Sequence, residues 1–222
     1  MIPLRDENPT QIVPVVTYAV LGLAVLVFLW QLSLPERGQK LAAYAFGMVP
    51  ASLLGEATLP PELALVPPVA TVFTSMFLHA GWMHLLGNLL YLWIFGNNVE
   101  EAMGHLRFAL FYLLTGTIAA LAQALPDPTS TIPVVGASGA ISGVLGAYLV
   151  LHPHARVLVW LPLAGLAHLS AGIVLGLWFL IQVLSSVLSD AREGGVAFLA
   201  HIGGFVAGMA LVHLFRRRSR TA

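Results

Sequence analysis

Hydrophobic and polar positions alternate along this chain in long blocks, and the lengths of the apolar blocks predict membrane-crossing helices. A run of about 20 apolar residues crosses roughly 30 Å of hydrocarbon. Such runs lie at residues 13–34, 105–125, 168–188 and 196–215, with shorter ones at 82–97 and 138–151. The pattern predicts an all-α membrane protein, with residues 1–222 forming a single integral domain. Its expected architecture is a polytopic bundle of six transmembrane helices with a long loop between the first and second. That connection, residues 35–72, is rich in Pro and Leu ("TLPPELALVPPVA") and carries no period that would set its shape. The polar start "MIPLRDENPTQIVP" leads into a run too long for a secretory signal and without a small-residue cleavage site, so a retained first span is expected.

Composition agrees with a lipid solvent. Hydrophobic residues make up 58% of the chain and charged residues 9%, against about 25% charged in soluble domains. The net charge is zero and no basic stripe is present, which argues against a nucleic-acid partner. The chain has no cysteine, which removes disulfides, thiol catalysis and cysteine-held metal sites. If the N-terminus is cytoplasmic, Arg5, Arg107, Arg156, Arg216, Arg217, Arg218 and Arg220 lie inside, and Arg37, Lys40 and Arg192 lie outside. This bias obeys the positive-inside rule and predicts that both termini are cytoplasmic.

Depth then sorts the polar residues. The fourth span is expected to leave the membrane near "HPHAR", which places Ser138 roughly 21 Å above the inner boundary at 1.5 Å per residue. The same count from the inner end of the sixth span brings His201 to that height, and a count along the second brings His84 there, with Asn88 one turn deeper. His84 and Asn88 share a helix face at i, i+4. The preceding "STIPVV" lies at membrane depth without a helix, so it is expected to border a protein-lined, water-accessible cavity open to the outside.

Polar groups converging inside a membrane are functional candidates, and these four suggest acyl transfer. A serine hydroxyl is a weak nucleophile until a base takes its proton. His201 is the candidate base. The apolar stretches hold no acid to orient it, so a Ser138–His201 dyad is expected rather than a triad. Gly136 and Gly139 relax the backbone around Ser138. The Ser138 N–H at the helix start, with His84 and Asn88, supplies donors for an oxyanion. Gly139 with Gly143, and Gly204 with Gly208, form two GxxxG steps that let the fourth and sixth spans approach closely.

Other polar residues have plainer readings. His105, His152, His154, His168 and His213 lie near span ends or lack a clustered partner, and are expected at interfaces or in packing. Glu100 and Glu101 follow the second span at its inner end, where capping or loop tethering suits them better than catalysis. "HAGWMH" lacks HExxH spacing and its glutamate, so no metal is expected.

Together, "GASGAISG" around Ser138, "HAGWMHLLGN" with His79, His84 and Asn88, and "AHIGGFVAG" with His201 resemble the rhomboid intramembrane serine proteases. "IPLRDENPT" resembles the N-termini of many bacterial six-helix members. The resemblance implies a Ser138–His201 dyad that cleaves transmembrane protein substrates within the lipid bilayer, with His84 and Asn88 in the oxyanion site. It also implies an inner (plasma) membrane location, an active site opening outward, and no cofactor. There are two departures. Ser142 stands where some members carry a tyrosine that packs on the histidine, and residues 35–72 lack the tryptophan of a Trp–Arg pair. The first departure predicts that Ser142 or a water positions His201. Two other classes compete. A non-catalytic binder or chaperone of membrane helices would be expected to lose Ser138 or His201, and a transporter to show inverted repeats. Neither signature is present.

Overall fold

The computed structural model describes residues 1–188 and 196–217. Four helices are long and apolar enough to cross a membrane: α1 (Val15–Ser33), α6 (His105–Ala124), α8 (Ala171–Leu188) and α9 (Phe198–Phe215). A bent pair of helices meets the same length and composition test only when taken together. Residues Pro68–Phe77, comprising α4 (Pro68–Thr74) and a 3₁₀ turn (Ser75–Phe77), meet α5 (Trp82–Met103) at 83°. The expected span at 138–151 is the short helix α7 (Ser138–Leu151). Its 14 residues reach about 21 Å, less than a full bilayer core. His152 and Pro153 stop it at one end. Residues 139–148 of α7 are all buried, because α5, α6 and α9 surround it.

Glycine explains how α7 and α9 come together. A Cβ added to Gly204 would run into the Gly139 carbonyl, one on Gly208 into the Gly143 carbonyl, and one on Gly146 into that of Phe205. The two backbones therefore touch along the whole seam. Gly139 and Gly143 themselves face α6, against Ala119 and Thr115. Small residues thus let α7 pack against two helices at once.

Four features add to or differ from the sequence-based expectation. The fold is the mostly helical membrane bundle expected, with one small sheet added. Strands β1 (Ile2–Asp6), β2 (Arg156–Leu161) and β3 (Gly165–Ser170) form an antiparallel sheet in the order β1-β2-β3. The span expected from residue 168 begins at Ala171, because His168 pairs with Leu158 in the β2–β3 hairpin. The helix expected to end at 97 runs on to Met103, where Gly104, at φ +77°, breaks it. Residues 35–72 are also ordered rather than a plain loop, with α2 (Glu36–Phe46) and α3 (Pro50–Leu53) preceding α4.

The polar N-terminal segment holds the inner end of the bundle. Asn98 Nδ2 donates to the Asn8 carbonyl at 2.6 Å, and the Gln11 N–H donates to Glu101 at 2.7 Å. Glu100, fully buried, accepts from the N–H groups of Val16 (2.9 Å) and Thr17 (2.8 Å) and from the Thr17 hydroxyl (2.7 Å). It thereby caps the first turn of α1, where a negative charge is favoured, and Oε1, the oxygen that takes the Val16 N–H, also lies 2.6 Å from His105 Nδ1. These partners satisfy the polar run that would otherwise have ended α5 at residue 97.

Tyr148, buried in α7, donates its hydroxyl to Asp6 Oδ2 at 2.7 Å. Burial pushes the Asp6 carboxyl above its ordinary value, against the lowering effect of the Tyr148 hydrogen bond. A carboxyl raised in the folded state contributes stability below its unfolded value and loses that contribution as pH rises through the folded one. Asp6→Asn keeps an acceptor for Tyr148 and removes the buried charge. Its thermal midpoint in detergent is expected to match or exceed wild type at pH 7, and the advantage is expected to close by about pH 4.

Candidate active site

Ser138 begins α7 after a glycine that the backbone requires. Gly136 has φ +121°, a conformation L side chains rarely adopt, and its N–H donates to the Ser75 carbonyl at 2.8 Å. No side chain caps the helix at Ala137, so the first-turn N–H groups beside Ser138 stay free of a side-chain acceptor. Ser142, one turn on, donates its hydroxyl to the Ser138 carbonyl at 2.6 Å.

His201 lies in the first turn of α9, 8% exposed, with its Nε2 2.8 Å from Ser138 Oγ. The start of α9 is held by α6, where Gln123 accepts from the Ala200 N–H at 3.2 Å. Ser142, expected to position His201, does not reach it. The ring's Nδ1 instead lies 2.8 Å from Oε1 of Gln182 on α8. Trp178, one turn earlier on the same face of α8, lays its ring 5.8 Å from the imidazole at 37°. The sequence reasoning missed both. The available signal was Gln182, a lone carboxamide in an otherwise apolar span, with Trp178 at i−4.

The first turns of α5 bring His84 and Asn88 to Gly136. A Cβ on Gly136 would lie 2.6 Å from Cε1 and Nε2 of His84 and 3.7 Å from Nδ2 of Asn88. His84 Nδ1 accepts from the Ala80 N–H at 3.4 Å, which leaves Nε2 as the nitrogen carrying the proton. Asn88 Nδ2 is buried without a hydrogen-bond partner. An unpaired donor in a low-dielectric interior is costly, unless an acceptor occupies the space during the reaction. His79, for which no catalytic role was expected, is buried and structural. Its N–H donates to Gln31 Oε1 at 2.9 Å and its carbonyl accepts from Gln31 Nε2 at 3.3 Å, which ties α1 to the start of α5.

The backbone of the segment before Ser138 pairs with the first connection: Met48 and Val134 exchange bonds at 3.0 and 2.8 Å, and the Ala51 N–H donates to the Ser130 carbonyl at 2.9 Å. The sequence also offers Gly194 and Gly195, ahead of the sixth span, as a hinge for substrate entry; these two, with Arg192, Arg218 and Arg220, lie outside the described residues.

The described residues define a polytopic membrane protein, a bundle of helices of membrane-spanning length with a serine and a histidine in hydrogen-bond contact inside it. Comparison with known proteins agrees: residues 68–218 match the model of the Rhomboid domain. The chain belongs to the Rhomboid family. It is 30% identical over 203 residues to Rhomboid protein 1, mitochondrial, of Saccharomyces cerevisiae, covering 86% of this chain and 51% of that protein. It is 32% identical over 143 residues to Putative rhomboid protease YdcA of Bacillus subtilis, covering 64% of this chain and 65% of that protein. It is 36% identical over 140 residues to Rhomboid protease GluP of the same organism, covering 63% and 25%. The chain spans about half the length of the yeast relative.

Proposed function

We propose that this protein is an intramembrane serine endopeptidase that cleaves transmembrane segments of other membrane proteins through a Ser138–His201 dyad. The observation that carries this reading is the 2.8 Å approach of Ser138 Oγ to His201 Nε2 at a buried helix junction.

The chemistry balances without an added reagent. His201 takes the Ser138 proton, and Oγ attacks the scissile carbonyl carbon. The resulting oxyanion is held by the Ser138 N–H, His84 Nε2–H and Asn88 Nδ2–H. Collapse breaks the C–N bond while His201 gives its proton to the departing amine. Water then attacks the acyl-enzyme, His201 takes its proton, and Ser138 is regenerated as the new carboxyl leaves. ATP, metal and organic cofactors have no step to serve.

The arginine bias supports an inner-membrane orientation with both termini cytoplasmic and the site opening to the outside. The sheet and the Glu100 cap lie at the Tyr148 end of α7, about 15 Å from Ser138 by helix rise. That arrangement suits a fixed inner end and a working outer end. The test is reconstitution in proteoliposomes with a transmembrane substrate whose helix is destabilised by Gly and Pro. Cleavage within the span by wild type is the expected result. Intact substrate in the presence of folded enzyme contradicts the reading.

Substrate must enter sideways, and α8 is the helix to yield. Among its residues only Ala171, Val174, Leu175 and Gln182 are buried, and its contact with α5 includes Tyr91 and Trp178, ring centroids 6.3 Å apart. The chain has no cysteine, so an engineered pair can bridge α5 to α8 cleanly. Cross-linking is expected to lower cleavage of a transmembrane substrate at least tenfold and leave labelling by a small serine-directed probe unchanged. Cleavage at the uncross-linked rate rules out movement between these helices.

A further inference from the structure

Gln182 is buried, 8% exposed, and is the only carboxamide in the 18 residues of α8. Its Oε1 lies 2.8 Å from His201 Nδ1, and its Nε2 donates to the Trp178 carbonyl at 3.4 Å, one turn back. The two contacts are made together with the amide nitrogen toward the backbone and its oxygen toward the imidazole. An amide oxygen only accepts, so Nδ1 carries the ring proton and Nε2 turns its lone pair to the Ser138 hydroxyl. That is the tautomer a general base requires.

We infer that Gln182 is the positioning residue for His201, an amide on α8 that fixes the tautomer and orientation of the base where a triad would use a carboxylate. The inference rests on the proposed Ser138–His201 chemistry. A neutral amide suits this location, because an ionised carboxylate buried in an apolar span carries a heavy desolvation cost. Trp178 closes the other side of the ring. Gln182 thus takes the supporting role that the absent tyrosine at position 142 and the expected Ser142 contact leave open.

The tautomer can be read directly by ¹⁵N NMR of histidine-labelled protein in micelles, with the His201 signal identified by its loss in His201→Ala. Wild type is expected to show the Nδ1–H form at a pH where the ring is neutral, and Gln182→Leu to lose that preference. The second readout is the rate of Ser138 labelling by a fluorophosphonate as a function of pH. Gln182→Leu is expected to label roughly tenfold more slowly, the scale of one neutral hydrogen bond. Gln182→Glu, which sets a negative charge against Nδ1–H, is expected to move the acid limb up by about one pH unit. The other titratable group that acts on His201 among the described residues is His84, and it is unchanged across the series. A purely packing role predicts equal limbs in all three proteins, and that result overturns the inference. An Nε2–H tautomer in wild type overturns it without any variant. If wild type does not label at Ser138, the protease reading fails, and the tautomer still decides whether Gln182 orients the ring.

Discussion

Replacing Ser138 or His201 with alanine is expected to lower the turnover of a transmembrane substrate by about 10⁴-fold or more, and the double variant to be no worse than either single one. The non-additivity follows from the geometry. A hydroxyl 2.8 Å from an imidazole nitrogen acts with it as a unit, so deleting one partner strands the other. Ser138→Ala removes the atom that bonds to carbon. His201→Ala leaves a hydroxyl with no base beside it. KM is expected to change little, because neither side chain is needed to hold a substrate helix. Steady-state cleavage in proteoliposomes measures all three variants. A single variant that keeps more than about a tenth of wild-type turnover contradicts the dyad, since a functioning Ser–His pair is worth far more than that.

The second large effect is expected at the donors facing Gly136. His84→Ala and Asn88→Ala are each expected to reduce kcat by about 10²–10³ with KM nearly constant, the cost of losing one oxyanion donor. The reason lies in the resting state: Asn88 Nδ2 is buried and unpaired, and His84 presents its Nε2–H beside Gly136. The cost at Asn88 is recovered when negative charge develops between the two donors. Gly136→Ala is expected to do comparable harm from the other side, because its Cβ would sit 2.6 Å from the His84 ring and the residue would be held at φ +121°. The same series read as KM and kcat separates this from a substrate-binding role. A rise in KM with kcat intact would assign His84 and Asn88 to ground-state binding.

Much of this was legible in the chain. Apolar block length is set by bilayer thickness, so α1, α6, α8 and α9 were visible as runs, and counting helix rise brought Ser138, His201 and His84 to one level with Asn88 one turn deeper. The rest depended on information that one sequence does not carry. The run from Arg156 to Ser170 is apolar enough to pass for the start of a span, but it folds back on itself as a hairpin and takes Ile2–Asp6 as a third strand. Asp6 and Tyr148 are 142 residues apart, and Glu100 caps a helix 84 residues upstream. No local pattern marks such pairs. Gln182 was visible as a polar residue in an apolar helix, but not the face it occupies. Ser142 was expected to support His201 from its position one turn after Ser138, and its hydroxyl found the nearer Ser138 carbonyl instead.

The most direct measurement of the central claim is labelling of detergent-purified protein, shown to be folded by its thermal midpoint, with a fluorophosphonate. Wild type, Ser138→Ala and His201→Ala are compared, and the modified residue is located by mass spectrometry. The account predicts a single adduct on Ser138 in wild type, none in Ser138→Ala, and labelling slowed to near background in His201→Ala. An unlabelled folded wild type, or an adduct formed equally fast without His201, would show that Ser138 is not activated by the histidine beside it.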